Sequence, residues 1–190
     1  MEQYKASRLE LAASKLKVLE LFFAYPTKEF SLNDITERVE IAKTTANAVV
    51  TRLIKEGFLH KEEIGKTWRI SCNREHHYNI TRKVPLHLIQ IYESGIIEKI
   101  ERRYPQASAV VLFGSYRKGD DTEKSDLDIA VEVPEDTETE IVKLGLMQQE
   151  KYRKNVAVQA TIFCRQKVNI NLFANIANGI VLAGFLEARP

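Results

Sequence analysis

The chain has 190 residues, 44% of them hydrophobic and 28% charged, with a net charge of +2. That length suits one large domain or two small ones with real cores, and the composition excludes collagen-like, disulfide-stapled and low-complexity classes. No run is long enough to span a bilayer, and the N-terminal MEQYKASRLELAASKLKVLE has early charges in place of a continuous apolar core. Neither a membrane anchor nor a signal peptide is therefore expected, and the cytoplasm is the expected compartment. Charge is unevenly spread. Residues 1–85 hold 15 Lys/Arg against 11 Asp/Glu, and residues 86–190 hold 13 against 15. The first half could face nucleic acid and the second could hold cations. Cys72 and Cys164 fit no metal or redox spacing and read as buried free thiols.

In chain order, Leu16, Val18, Leu19, Leu21, Phe22 and Phe23 fall mostly on one face of a helix over 14–25, which Pro26 stops. Ser31 can cap a second helix, strengthened by Asp34 three residues on, with Leu32, Ile35 and Val39 inward. A tight turn over 40–42 leads to a third helix whose inward face is Val49, Val50, Leu53 and Ile54, closed by Gly57. Residues 58–64 and 67–71 flank Gly65-Lys66 as a β-hairpin. Three helices followed by a hairpin resemble a winged helix-turn-helix domain over residues 5–73. The stretch TTANAVVTRLIKEGFL is similar to its recognition helix and strand entry. The resemblance implies double-stranded DNA as a partner, with Lys43, Thr44, Thr45 and Asn47 toward the bases and Arg52 on a phosphate. Lys66 and Arg69 would touch backbone or minor groove.

Residues 74–85 are polar, end in proline and read as a linker. His76 and His77 are adjacent, a poor geometry for chelating one metal, and read as a solvated pair. Asn79-Ile80-Thr81 fits a glycosylation acceptor, of no use to a cytosolic chain. A long amphipathic helix is expected over 86–104, ending before Pro105.

The apolar run Val110 to Phe113 suits a buried strand, and Gly114-Ser115 ends it. Strand-like alternation resumes at Asp126, with Asp126 and Asp128 on one face, about 7 Å apart at the backbone, and Leu127, Ile129 and Val131 on the other. Like charges side by side repel, and a hard divalent cation would remove that penalty. A Gly-Ser turn leaving a strand brings backbone N–H groups close to an anion, and Arg117 and Lys118 add positive charge. Beyond lie an acidic turn at 134–138, a helix expected over 139–152, a strand over 155–164, a helix over 167–176 and an apolar segment over 179–184.

Gly114-Ser115, ten residues, then Asp126-Leu127-Asp128 resembles the active-site motif of the polymerase-β-type nucleotidyltransferase superfamily, in particular its minimal stand-alone branch. The fold class expected is thus two-domain, α+β and α/β. It joins an N-terminal winged helix-turn-helix (5–73) through a linker (74–85) to a nucleotidyltransferase-like domain (86–190), a small mixed sheet covered by helices. The resemblance implies Asp126 and Asp128 as catalytic metal ligands for Mg²⁺ or Mn²⁺. It further implies Gly114, Ser115, Arg117 and Lys118 as the nucleoside triphosphate site, and transfer of a nucleoside monophosphate to a hydroxyl of a protein or nucleic-acid acceptor.

The family usually adds a third carboxylate from the next strand. None stands between Asn155 and Cys164, where Gln159 is the nearest candidate. An amide can ligate Mg²⁺ but cannot take a proton. Glu132 shares the aspartates' face but lies further along, and Asp120 and Asp121 are expected to be solvated in the loop. A second reading therefore stands beside the enzyme: a catalytically impaired, nucleotide-sensing transcription regulator. A third is an antitoxin-like protein that regulates its own promoter and modifies a toxin-like partner. A homodimer is the default, since winged-helix proteins often read paired half-sites.

Overall fold

The computed structural model describes residues 2–65, 67–134, 136–148 and 151–187, with the backbone alone for 2–8. The chain divides into two compact units, Met1–Asn79 and Ile80–Pro190.

The first unit comprises α1 (Glu2–Ala24), α2 (Leu32–Val39), α3 (Lys43–Lys55), β1 (Leu59–Ile64) and β2 (Thr67–Cys72). Ser31 and Asp34 form a reciprocal capping box. The Ser31 N–H donates to Asp34 Oδ2 at 2.8 Å, and Ser31 Oγ accepts from the Asp34 N–H at 3.1 Å. Val18, Leu21, Phe22, Ile35, Val50, Leu53, Phe58 and Ile70 are fully buried, whereas Leu16 is about half exposed. The hairpin pairs Leu59 with Cys72 through to Ile64 with Thr67. A backbone bridge between Phe30 and Ile70 ties it to the chain entering α2.

Residues 74–78, expected as solvated linker, fold back on this unit. His76 donates from Nε2 to the Glu56 carbonyl at 3.0 Å and accepts the Tyr78 N–H at Nδ1, which fixes its tautomer. Its ring packs on Phe58, with centroids 5.7 Å apart. Asn79 is buried and donates to the carbonyls of Asn73, Arg74 and His76, so its amide is closed to glycosylation.

Glu56, just past α3, accepts from Lys15 at 2.7 Å, Arg52 at 2.9 Å and Tyr78 Oη at 3.0 Å. Burial opposes its ionisation, but these three donors outweigh that and bring its pKa from the ordinary 4.5 down to about 2. The lowered value means stabilisation is complete above pH 4.5 and lost as pH falls through about 2. Urea midpoints measured from pH 6 to pH 2 should fall for wild type across that window, and Glu56→Gln should flatten the acid limb while lowering the midpoint at pH 6.

A single π-helical turn, Asn79–Lys83, opens at the last residue of the first unit and runs into α4 (Val84–Glu93) of the second. The helix expected over 86–104 is broken. Gly95, at φ 71, separates α4 from α5 (Ile96–Arg103), and the Ser94 hydroxyl bonds back to Ile91 O at 2.7 Å. Next come β3 (Ala109–Phe113), α6 (Gly114–Lys118) and β4 (Leu127–Glu132).

The helix expected over 139–152 is a strand, β5 (Glu140–Gln148). Val142, Leu144 and Met147 face the core while Ile141 and Leu146 face out, a two-residue period shifted once by a bulge at Leu144. Gly145, at φ 103, cannot sit in a helix as it does here. β6 (Asn155–Phe163), α7 (Ile170–Ala177) and β7 (Ile180–Gly184) complete the unit. The sheet order is β5-β6-β4-β3-β7, with β4 and β6 parallel and every other pair antiparallel.

Each face of the sheet has its own core. Val110, Leu112, Ile129, Val131, Val158 and Ala160 meet α4 and α5. Val111, Ala130 and Phe163 meet Ile176 of α7 on the other face. The even-numbered residues of β4, Asp128 among them, point to the α7 face, which α7 covers only in part.

Candidate functional site

Register sets the centre. Phe113 of β3 pairs with Asp128 of β4, and Asp128 pairs in turn with Gln159 of β6. Paired residues project to the same face, so β3 delivers the chain directly beside Asp128 and there turns away as Gly114. Gly114 has φ 70, and a Cβ on it would lie 2.5 Å from Asp128 Oδ2. Only glycine fits both the backbone and the space.

Ser115 follows, half-buried, on the first turn of α6. Asp126 immediately precedes β4 and is also half-buried. Gln159 donates from Nε2 to Asp126 Oδ2 at 2.5 Å. Thus Gly114, Ser115, Asp126 and Asp128 come together, and Gln159 stands in the third-strand position that sequence alone left open. Burial raises the Asp128 carboxyl above the ordinary 3.8, and the Asp126 charge adds to it. Two half-buried carboxylates with one neutral donor make a concentrated negative site. That donor set fits one hard cation completed by phosphate oxygens and water. No group of three or more His, Cys, Asp or Glu among the described residues could hold a metal ion.

Arg117 and Lys118 are exposed on the last turn of α6. Glu132 is taken up at the far end of β4 by Arg165, at 2.7 Å.

Asp121, expected in solvent, is 1% exposed. Its Oδ1 is 2.8 Å from Lys83 Nζ, itself 0% exposed, and its Oδ2 is 3.4 Å from Arg153. His87 packs on Tyr116 of α6 with ring centroids 4.4 Å apart. Burial, only partly offset by the Asp121 charge, lowers its pKa to about 4, so the imidazole is neutral near pH 7. Burial likewise pushes the Tyr116 phenol up. Sequence reasoning missed this cluster because its members lie on four separate segments.

In the first unit Lys43, Thr44, Asn47 and Arg52 are exposed on α3 and Thr45 is half-buried. The helix carries no acid. Arg52 is engaged by Glu56, and Arg69 is 3.0 Å from Glu29, so neither is a free cation. Lys66 lies outside the described residues.

Residues 93–171 match the family model of the nucleotidyltransferase domain. The matched segment runs from the end of α4 to the start of α7 and contains every residue of the Gly114–Asp128 centre. No curated protein matches the chain. The family match supports a nucleotidyltransferase domain carried on a mixed five-stranded sheet. No helix among the described residues is long and apolar enough to cross a membrane.

The raised Asp128 value has a direct consequence. Because folding disfavours the charged form, the ionised carboxylate costs stability at neutral pH. In divalent-free buffer at pH 7.5, Asp128→Asn should therefore melt above wild type. An unchanged or lower melting temperature would contradict that cost.

Proposed function

We propose that the C-terminal unit binds a nucleoside triphosphate with Mg²⁺ or Mn²⁺ and transfers its nucleoside monophosphate to a hydroxyl of a protein or nucleic-acid acceptor. The observation that carries this reading is the closure of Gly114 onto Asp128. The turn lies directly against the Asp128 carboxylate, which supports a shared site for phosphate and cation.

The turn at Gly114-Ser115 donates N–H and hydroxyl hydrogens to phosphate oxygens, and Arg117 and Lys118 offset the remaining charge from the solvent side. Asp126 and Asp128 supply two oxygen ligands, a common protein share for Mg²⁺ when substrate phosphates complete the shell. The cation, when bound, polarises the phosphoryl group and steadies the leaving pyrophosphate. Gln159 holds Asp126 in orientation through its amide.

Gln159 favours a second reading. Where an acid would accept the attacking hydroxyl's proton, an amide cannot. Nucleotide holding without rapid transfer, as in a nucleotide-sensing regulator, fits that substitution.

For the N-terminal unit we propose a winged helix-turn-helix that binds double-stranded DNA. The order of three helices and a hairpin, and an acid-free α3 exposing Lys43, Thr44 and Asn47, support it. A homodimer on paired half-sites, and a toxin-like protein as the modified acceptor, belong to the same proposal.

Incubation with α-labelled nucleoside triphosphates and Mn²⁺ tests the enzyme. Label should reach a protein or nucleic acid, and Asp126→Asn with Asp128→Asn should reduce it by at least about a hundredfold. Triphosphate binding without label transfer would favour the sensing alternative. For DNA, Lys43→Ala should weaken binding to genomic fragments by roughly fivefold to tenfold at physiological salt. Arg52→Ala should do less, because its guanidinium is shared with Glu56; equal affinity of both variants and wild type would count against DNA recognition by α3.

A further inference from the structure

Arg153 sits in the connection between β5 and β6 with a left-handed backbone, φ 50. Its Nη2 donates to Ser125 O at 2.6 Å and its Nη1 to Asp121 Oδ2 at 3.4 Å. Its guanidinium carbon lies 5.5 Å from the centre of the Tyr116 ring. These three contacts fall on three consecutive pieces of the centre. Tyr116 belongs to α6, directly after the Gly114-Ser115 turn; Asp121 lies in the loop that leaves α6; Ser125 is the residue before Asp126. One planar fork therefore spans the chain from the anion-accepting turn to the first carboxylate.

The arrangement behind the fork is just as specific. Lys83 Nζ donates to Asp121 O at 2.7 Å and Gly119 O at 3.3 Å while pairing with the Asp121 carboxylate at 2.8 Å. His87 Nδ1 lies 3.5 Å from Tyr116 O and 3.8 Å from Asp121 Oδ1. Two cations share one carboxylate out of water, with His87 neutral beside them. Apolar residues of similar size would stabilise a fold as well or better than such a buried ionic group. What apolar residues could not supply is the set of directed bonds, each ending on the 116–125 stretch.

We propose that Arg153, backed by Asp121 and Lys83, is a positioning residue that fixes the separation between the Gly114-Ser115 turn and the Asp126–Asp128 pair. Phosphate and cation are thereby bound as one unit. The inference rests on the nucleotide-and-cation reading of the centre. A lysine at 153 keeps the charge opposite Asp121 but, with one ammonium on a flexible stem, cannot reach Asp121, Ser125 O and the Tyr116 face together.

The test compares wild type, Arg153→Lys and Arg165→Lys as full chains. Arg165 is the control because it pairs with the buried Glu132 at the opposite end of β4, away from the centre. Melting temperature, binding of Mn²⁺ alone and binding of Mn²⁺–ATP are measured for each, the last two by electron paramagnetic resonance. Arg153→Lys is expected to weaken Mn²⁺–ATP about tenfold or more, in the range lost with partners that orient metal ligands. Binding of Mn²⁺ alone should change less than about twofold, since that ion needs the carboxylates and not their spacing from the turn. Arg165→Lys should leave both affinities unchanged.

Equal losses in the two variants, or losses of Mn²⁺ and Mn²⁺–ATP in parallel with a lowered melting temperature, would reduce Arg153 to a structural role and overturn the proposal. Wild type that binds Mn²⁺–ATP, with Arg153→Lys binding it equally well, would remove this inference and leave the site standing. Failure of wild type itself to bind Mn²⁺–ATP would remove the underlying reading, and this one with it.

Discussion

Pairing of β3 with β4 places Phe113 opposite Asp128, and the chemistry of the C-terminal unit depends on that register. Side chains alternate along a strand, so a one-residue slip would turn Asp126 and Asp128 into the apolar layer under α4 and α5 and move Leu127, Ile129 and Val131 to the α7 face. The slip is prevented from both sides. Leu127, Ile129 and Val131 are fully buried against α4 and α5, and Gly114 closes on Asp128 with no room for a larger residue. The interaction that positions the carboxylates is therefore hydrophobic on one face and steric on the other, while the Asp128 carboxylate itself opposes the fold. Asp128 is disfavoured as an anion by its own burial, and the structure tolerates this because the apolar face of the same strand holds it in place.

Much of this was legible in the chain. Alternation after Asp126 gave the strand and its two faces, and the glycine after an apolar run gave the turn, because both follow from local geometry. Ser31 with Asp34 gave the start of α2 for the same reason. Elements governed by partners distant in sequence were not legible. Residues 140–148 contain apolar positions that fit a helix nearly as well as a strand, and only pairing with β6, together with the bulge at Leu144, decides between them. Gly95 interrupts an otherwise continuous helical pattern, a break that composition alone does not distinguish from a tolerated glycine.

The centre divides along the same line. Gly114, Ser115, Asp126 and Asp128 lie within fifteen residues and announce themselves by spacing. Gln159 needed the parallel register of β4 and β6 to find its place. Lys83, His87, Asp121 and Arg153 were invisible because a polar, charged sequence between elements ordinarily signals solvent. Here Lys83 is buried within an otherwise exposed polar segment, and an aspartate in a glycine-containing loop is among the least exposed residues of the unit. Nor does the sequence show that Arg52 and Arg69 are paired with Glu56 and Glu29.

The strand order β5-β6-β4-β3-β7 also carries a temporal consequence. β3 and β4 leave the ribosome as neighbours and can zip together at once, but each keeps an unpaired border. That of β4 waits for β6, which follows β5 out and arrives folded against it as a hairpin. That of β3 waits for β7, synthesised after everything else in the sheet. Until β6 and β7 have been made, the apolar middle of the sheet keeps two open backbone borders, and closing both takes contacts between strands distant in sequence, the kind that form slowly.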